Sequence, residues 1–398
     1  MSNFKYKVCV VGGCGHVGLP LAITFAEAGL KTLILDKNSA ALKTVLTGKM
    51  PFLEKGAIPQ LKKVLKQRLL FGALQNSEAA QSQYIIVIIG TPIDEFLNPR
   101  MQEIYKIFED LIPYLKKGQT IILRSTIYPG TTKAIHKLLK KYRKKVNLAF
   151  CPERVAEGIA IEEFKSLPQI VSGVDKESEK AASSLFLKIA ADIIVLSPEE
   201  AELAKLMTNA WRYIQFAVAN QFYTIANSAG LDFYRILGAI QYKYPRAKGF
   251  PAAGFAAGPC LFKDTMQIAA FNNNQFYLGH AAMLANEGLP NYIVNRLKAK
   301  FNLSQKTVAI LGMAFKANSD DKRDSLSYKL KKILEIEAKR VYCTDVYIKE
   351  EDFSDLRTAL KSDLVILGAP HKEYEKIRFR KNQEVVDIWN FWGRGGRF

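Results

Sequence analysis

The chain has 398 residues, 48% of them hydrophobic and 24% charged, with 57 Lys and Arg against 38 Asp and Glu for a formal net charge of +19. That length exceeds one ordinary core and implies two or three domains, and the composition excludes a disordered or fibrous chain. The apolar run Tyr84–Ile89 is far too short for a bilayer, no signal peptide precedes the first strand, and five cysteines, an odd count, fit a reducing cytoplasm better than a disulfide framework.

Basic stretches such as Lys62–Arg68 and Lys137–Lys145 interleave lysine with Leu, Ile and Val at helical spacing. That is the pattern of a solvated helix face, and no nucleic-acid-binding motif accompanies it. The excess charge suits phosphorylated small ligands instead. Neither nucleic acid nor membrane is expected as a partner. His136, His280 and His371 have no metal-ligand spacing, so no metal is expected.

In chain order, short apolar segments read as strands at Lys7–Val11, Thr32–Leu35, Ile85–Ile89, Thr120–Leu123, Val146–Phe150, Gln169–Val171 and Ile193–Leu196, separated by amphipathic helices. Such alternation implies parallel strands with crossover helices, a doubly wound α/β domain over residues 1–198. From Glu199 to Gly230 runs one long helical pattern, with Ser197 as N-cap, Glu200 in the first turn and Gly230 at the stop. A helix of that length is expected to cross between domains. Its apolar positions Leu203, Leu206, Ala210, Ile214, Ala217 and Phe222 predict a homodimer built across it. Helical sequence continues through a middle domain, 199–303.

A second α/β texture fills 304–398, with strands at Thr307–Leu311, Arg340–Cys343, Leu364–Leu367 and Val385–Ile388. Gly312 and Asp345 stand roughly where Gly13 and Asp36 stand in the first domain. The whole chain therefore reads as two Rossmann-like domains joined by a long helix and a helical middle, ending in a loose tail, Gly393–Phe398.

The segment Val10–Gly18 holds G-x-G-x-x-G as Gly13, Gly15 and Gly18, with His16 and Val17 between. It follows a strand, opens a helix and precedes Asp36 at the end of the next strand, which is the setting of a dinucleotide site. Gly13 is expected to permit the tight turn, Gly15 to let the backbone approach a pyrophosphate, and Gly18 to let helix and strand pack. Asp36 can bond a ribose 2′-hydroxyl and would repel a 2′-phosphate, favouring NAD over NADP. Two more loops end strands of this sheet, Gly90-Thr91-Pro92 and Ser125–Gly130, and Thr91 and Thr126 are cofactor-wall candidates.

The stretch Gly254-Phe255-Ala256-Ala257-Gly258-Pro259-Cys260-Leu261-Phe262-Lys263-Asp264 places a cysteine beside Gly-Pro at a loop-to-helix transition. There a helix dipole favours a thiolate nucleophile, although a lone cysteine is more often core packing. With these residues the chain resembles the UDP-glucose/GDP-mannose dehydrogenase family, whose nucleophile lies in a similar segment ending Cys-x-x-Lys-Asp. The matching motifs run in order from Gly13–Pro20 through Ser125-Thr126, Cys151-Pro152-Glu153-Arg154 with Glu157-Gly158, Lys205 with Asn209, Asn286, and Gly312–Lys316 with Arg323.

The resemblance implies an NAD-dependent nucleotide-sugar 6-dehydrogenase taking a UDP-hexose or UDP-N-acetylhexosamine to the uronic acid by four-electron oxidation. It implies Cys260 as nucleophile, Lys205 and Asn209 as oxyanion stabilisers, and Asp264 and Thr126 as groups that position or activate the hydrolytic water. It places Glu153 and Glu157 near sugar and nicotinamide, and Lys263, Arg323, His16 and Val17 near the dinucleotide. Arg154, Lys205, Asn209, Gly254, Phe255, Gly258 and Lys316 are its implied substrate contacts. Arg154 is more usual in members acting on N-acetylated hexosamines, whereas Lys263-Asp264 is like the glucose type, so both sugars stay open. Cys9, Cys14 and Cys343 read as packing, and Cys151 lies at a strand end near the site. An alternative reading is a two-electron β-hydroxyacid dehydrogenase of the 6-phosphogluconate type, which shares the first domain, a long helix and a Lys-x-x-x-Asn pair.

Overall fold

The computed structural model describes residues 4–90, 94, 100–255 and 258–396. It folds as two compact units, 1–207 and 208–398. In the first unit β1 (Tyr6–Val11) leads into α1 (Gly18–Glu27), followed by β2 (Thr32–Leu35), α2 (Ser39–Leu46), α3 (Ala57–Lys66), β3 (Leu70–Ala73) and β4 (Ser82–Val87). The second half adds α4 (Met101–Leu111), β5 (Thr120–Leu123), α5 (Thr131–Lys141), β6 (Asn147–Phe150), α6 (Ala160–Ser166), β7 (Gln169–Gly173), α7 (Lys176–Phe186) and β8 (Ile193–Val195). Among the described residues these strands form one sheet in the order β3-β2-β1-β4-β5-β6-β7-β8.

The pairing is parallel except between β6 and β7. Two features depart from the sequence reading: that antiparallel pair, and β3, a four-residue strand with a glycine inside it. Alternate residues of β1 divide between two cores. Val8 and Val10 join α1, α3 and α7, while Cys9 and Val11 join α4 and α5. A sheet covered on both faces needs apolar residues at every position, which is why β2 and β5 are buried throughout.

Helix α8 (Pro198–Ser228) begins in the first unit and ends in the second. Its start is a capping box: Ser197 Oγ accepts from Glu200 N (3.3 Å) and Glu200 Oε2 accepts from Ser197 N (2.8 Å). Its end is a left-handed Gly230, φ +71°. Of the apolar positions expected to face a partner, Leu206, Ala210 and Ala217 are buried, Leu203 and Ile214 are half-buried and Phe222 is exposed. Met207, Trp211, Val218 and Ile225 of the same helix are also exposed.

The second unit continues with α9 (Phe233–Gln241), α10 (Leu261–Phe271), α11 (Tyr277–Lys300), β9 (Thr307–Leu311), α12 (Leu326–Glu337), β10 (Arg340–Thr344), α13 (Leu356–Ala359), β11 (Leu364–Leu367) and β12 (Glu384–Val386). Its parallel sheet has the order β10-β9-β11-β12. Val308 and Ile310 of β9 share a core with Tyr223 of α8, Leu289 of α11 and Leu330 of α12. That shared core makes the helical middle and the second sheet one unit. The expected loose tail is tied down as far as it is described. Asp387 Oδ2 accepts from Arg394 N (3.3 Å), Asn390 Oδ1 accepts from Gly395 N (3.1 Å), and Gly395 and Gly396 are buried. No helix of the described residues is long and apolar enough to cross a membrane.

Candidate active site

In the first unit, the loop after β1 sets the geometry expected of a dinucleotide site, with one change of detail. The left-handed residue is Gly12, φ +76°, not Gly13. A side chain at Gly12 would stand 1.8 Å from Ile88 O, and one at Gly18 would stand 2.4 Å from Gly12 O. Gly13 is excluded from being larger by Val10 O and the Ile34 side chain, 2.7 and 2.8 Å from its ideal Cβ. Gly15 differs: a Cβ there would meet only Gly12 O, at 3.6 Å, and the residue is exposed. Helix α1 has no side-chain cap; its Leu19 N–H bonds to Gly15 O (3.0 Å) and Pro20 has none, which leaves the N–H of Gly18 at the helix start toward that loop. Asp36 accepts from Cys14 N through Oδ2 and from Asn38 N through Oδ1, both at 2.9 Å, and stays half-exposed at the end of β2. His16 stacks on Phe52, with ring centroids 4.1 Å apart. An open glycine, an uncapped helix and a half-exposed acid fit a dinucleotide with a free ribose hydroxyl.

Farther along this sheet, Ser125 Oγ accepts from Ile89 N (2.7 Å) and ties the ends of β4 and β5 together, with half-buried Thr126 beside it. Thr91 and Pro92 lie outside the described residues. Glu153 is held from two sides. Its Oε2 lies 2.5 Å from Arg124 Nη2, and its Oε1 accepts from the N–H of Arg154 and Val155, both 2.6 Å. Arg124 is 1% exposed and also donates to Cys151 O (3.1 Å) and Gln169 Oε1 (3.0 Å). Sequence reading passed over Arg124, whose signal was a charge set directly after the apolar strand β5. Arg154 turns its guanidinium to Pro168 O.

The Glu157-Gly158 turn is held by another residue not singled out, Glu54. This buried carboxylate accepts from Gly158 N (2.9 Å) and Ile161 N (3.1 Å) at the start of α6. Cys151 is buried, and burial pushes its thiol up to about 12 although the nearby Arg124 charge pulls the other way. Lys205, 9% exposed, lies on α8 one turn before Asn209.

In the second unit, the segment before α10 is laid on aromatic rings. A side chain at Gly254 would strike Trp389 at 2.4 Å, and one at Gly258, φ +106°, would strike Phe315 at 2.5 Å. Gly254 N donates to Asn220 Oδ1 (2.9 Å), and Asn220 Nδ2 donates to Asn286 Oδ1 (2.9 Å), so Asn286 acts on this loop from a distance. Phe255 is buried in the core beside α11 and β9, which leaves its main chain for any contact with a ligand. Ala256 and Ala257 lie outside the described residues.

Cys260 is the exposed one of the five cysteines and takes the N-cap position of α10. Burial pushes Cys9, Cys14 and Cys343 each up to about 12. One turn on, Asp264 is fully buried; its Oδ2 accepts from Asn209 Nδ2 at 2.6 Å. Its Oδ1 has no hydrogen bond among the described residues and lies 3.7 Å from Lys263 Nζ. A primary amide has two N–H donors, so Asn209 keeps one for another acceptor. Lys316 reaches over the Phe315 ring, 5.6 Å from its centroid, and the Arg323 fork grips Asp321 at 2.5–3.0 Å.

Sequence profiles of one family match three stretches of the chain: its NAD binding domain at 6–190, its central domain at 199–287 and its UDP binding domain at 309–394. The chain belongs to the UDP-glucose/GDP-mannose dehydrogenase family. It is 29% identical over 392 residues to the UDP-N-acetyl-D-mannosamine dehydrogenase of Methanocaldococcus jannaschii, covering 96% of this chain and 88% of that one. The enzyme of the same name from Yersinia pestis is 26% identical over 98% of this chain and 100% of its own. The solved UDP-D-ManNAc dehydrogenase of Pyrococcus horikoshii matches with a TM-score of 0.87 and 26% identity, over 94% and 91% of the two chains. A UDP-glucose dehydrogenase of Pyrobaculum islandicum shares the fold at 23% identity and a TM-score of 0.87, over 98% of each chain. This family member is an NAD-dependent nucleotide-sugar dehydrogenase, and the two-electron alternative is not favoured.

Proposed function

We propose that the enzyme oxidises the C6 hydroxyl of UDP-N-acetyl-D-mannosamine to the carboxylate through a thioester on Cys260. The observation that carries this reading is an exposed cysteine at the head of α10, one turn from a buried carboxylate that Asn209 holds. The choice of sugar is supported by the names of the relatives and by Arg154 after Pro152-Glu153.

Alcohol to acid releases four electrons as two hydrides. When bound at the Gly12–Gly18 loop, NAD supplies the hydride acceptor for each oxidation. Between them the Cys260 thiolate adds to the C6 aldehyde, forming a C–S bond and an alkoxide that takes up a proton to give the thiohemiacetal. Loss of the second hydride leaves the thioester. Water then attacks its carbonyl carbon, the C–S bond breaks, and the sulfur leaves as thiolate. Negative charge gathers on the former carbonyl oxygen at each addition. The free N–H of Asn209 and the Lys205 ammonium are proposed to meet it, and one such donor is worth about 10²–10³ in rate. The unbonded Oδ1 of Asp264 is proposed to take the proton of the hydrolytic water, with Thr126 orienting that water. Lys316 is proposed to contact the UDP portion.

Cys260→Ser should keep NAD binding and lower NADH production by about 10³-fold or more, with a uronyl ester accumulating as added protein mass. A panel of UDP-N-acetyl-D-mannosamine, UDP-N-acetylglucosamine and UDP-glucose, scored by NADH release, tests the sugar. Near-normal turnover by Cys260→Ser would remove the covalent mechanism. The working form is proposed to be a cytoplasmic homodimer. Exposed Trp211, Phe222 and Ile225 on α8, with Leu284 on α11 beside Ile225, offer the apolar face. Sedimentation of Ile225→Glu as a dimer would remove that face from the interface.

A further inference from the structure

We propose that His371 is a positioning residue for the loop that carries Lys316, and that protonating its Nδ1 weakens UDP-sugar binding. The inference rests on reading Lys316 as a UDP-sugar contact. The loop is pinned at both ends. At its start, Asp345 Oδ2 accepts from Met313 N (2.6 Å) and Ala314 N (3.1 Å). At its end, His371 Nδ1 accepts from Asn318 N (2.9 Å), and Asn318 Oδ1 accepts from Lys372 N (3.0 Å). Lys316 stands between the two pins. The pins are themselves joined, because His371 Nε2 lies 3.1 Å from Asp345 Oδ2.

The proton inventory of the ring is set by these partners. A backbone N–H can only donate, so Nδ1 must be bare, and the one proton of the neutral ring sits on Nε2 and is donated to Asp345. His371 is fully buried. The groups that face it are the Asp345 carboxylate and the rings of Tyr347 and Tyr374, whose centroids lie 5.0 and 5.6 Å away edge-on. The Tyr347 hydroxyl donates onward to Glu373 (2.5 Å). A proton on Nδ1 would point at the Asn318 N–H and turn that bond into a clash of two donors. Asn318 is held in the left-handed region, φ +54°, so its release lets the turn after Lys316 relax.

The test is initial-rate kinetics on the intact enzyme with UDP-N-acetyl-D-mannosamine and NAD, from about pH 8 down to about pH 5. The wild-type KM for the UDP-sugar should rise by about tenfold toward the acid end while the KM for NAD stays level. The diphosphate of a UDP-sugar is a diester and keeps its charge there. His371→Asn puts an amide oxygen where Nδ1 stood and cannot be protonated, so it should keep a low KM and lose the pH dependence. His371→Gln reaches Asp345 but not the Asn318 N–H, and should raise the KM about tenfold at every pH with kcat within about twofold. In a Lys316→Ala background His371→Gln should add nothing further. A pH-independent wild-type KM, or a full His371→Gln effect on top of Lys316→Ala, would overturn the role of His371. Lys316→Ala with an unchanged KM would instead overturn the reading of Lys316, and that variant alone tells the two failures apart.

Discussion

Gly12 and Gly312 occupy equivalent places in the two sheets. Each N–H donates at 2.9 Å to the last residue of the neighbouring strand, Leu35 or Thr344, and both backbones are left-handed, φ +76° and +89°. Gly312 thus pairs with Gly12 rather than with Gly13. In each unit an aspartate beyond that strand, Asp36 or Asp345, then takes N–H groups of the glycine loop. The two units part ways after the turn. In the first, α1 starts at Gly18, six residues on, so a helix N-terminus faces the loop and Asp36 remains half-exposed. In the second, α12 waits until Leu326, the intervening loop carries Lys316, and the Asp345 side chain is sealed under His371. One scaffold leaves an open glycine loop before a helix in the first case and presents a lysine-bearing loop in the second.

The largest expected effects come from breaking what the two share. Gly12→Ala would force a Cβ to 1.8 Å from Ile88 O at a left-handed φ, and Gly312→Ala one to 2.4 Å from Ala369 O. Both clashes are with backbone, so each should cost about 4 kcal/mol or more, Gly12→Ala the most, read as a shift of the urea midpoint. Asp345→Asn against Asp36→Asn should sharpen the difference at intermediate size. Asp345 serves Met313, Ala314, Tyr347, Ile348 and His371, and losing its charge in a buried site should cost about 3 kcal/mol. Asp36→Asn should cost under about 1 kcal/mol and instead reduce the preference for NAD over NADP.

Acid unfolding gives the same contrast a sign. Burial pushes the Asp345 carboxyl up, but hydrogen bonds from His371 and from the N–H of Tyr347 and Ile348 outweigh it and hold it below its ordinary value. A group held down in the folded state adds stability above its unfolded value of about 3.9, and that share is lost as pH falls through the lower folded value. Stability of the wild type should therefore fall more steeply below about pH 4 than that of Asp345→Asn. Parallel acid limbs would mean that Asp345 is not coupled to folding in this way.

The features legible in the sequence were local ones. The alternation of strands and helices, the span of α8 and its Ser197 cap, and the glycine segments before α1 and α10 all depend on residues within one turn of each other. What stayed hidden depends on partners far apart in the chain. Arg124 and Glu153 are separated by 29 positions and Glu54 and Gly158 by 104, and no spacing rule connects them. The α8 stripe was only partly legible for a different reason. Its apolar residues run round more than one side, so helical periodicity cannot tell Leu206 and Ala217 in the core from Trp211 and Ile225 at the surface. Gly12 was overshadowed by the motif beside it, although it alone among Gly12, Gly13, Gly15 and Gly18 has a left-handed φ.

The smallest effect on stability is expected from Gly15→Ala, and it isolates the ligand from the fold. A Cβ at Gly15 would meet only Gly12 O at 3.6 Å, an ordinary contact, and no left-handed φ is required there. The variant should therefore melt within about 0.5 kcal/mol of the wild type, with any gain coming from a stiffer unfolded chain. The methyl group would nevertheless stand on the exposed side of the loop, where the diphosphate of NAD is proposed to lie. Displacing that diphosphate from the start of α1 should weaken NAD by about tenfold, measured by titration calorimetry. Gly18→Ala supplies the opposite pattern, since its Cβ would press to 2.4 Å from Gly12 O inside the packed loop and lower stability first. If Gly15→Ala bound NAD as tightly as the wild type, the open side of this loop would not be where the diphosphate lies, and the contrast between the two glycine turns would have to rest on Asp36 alone.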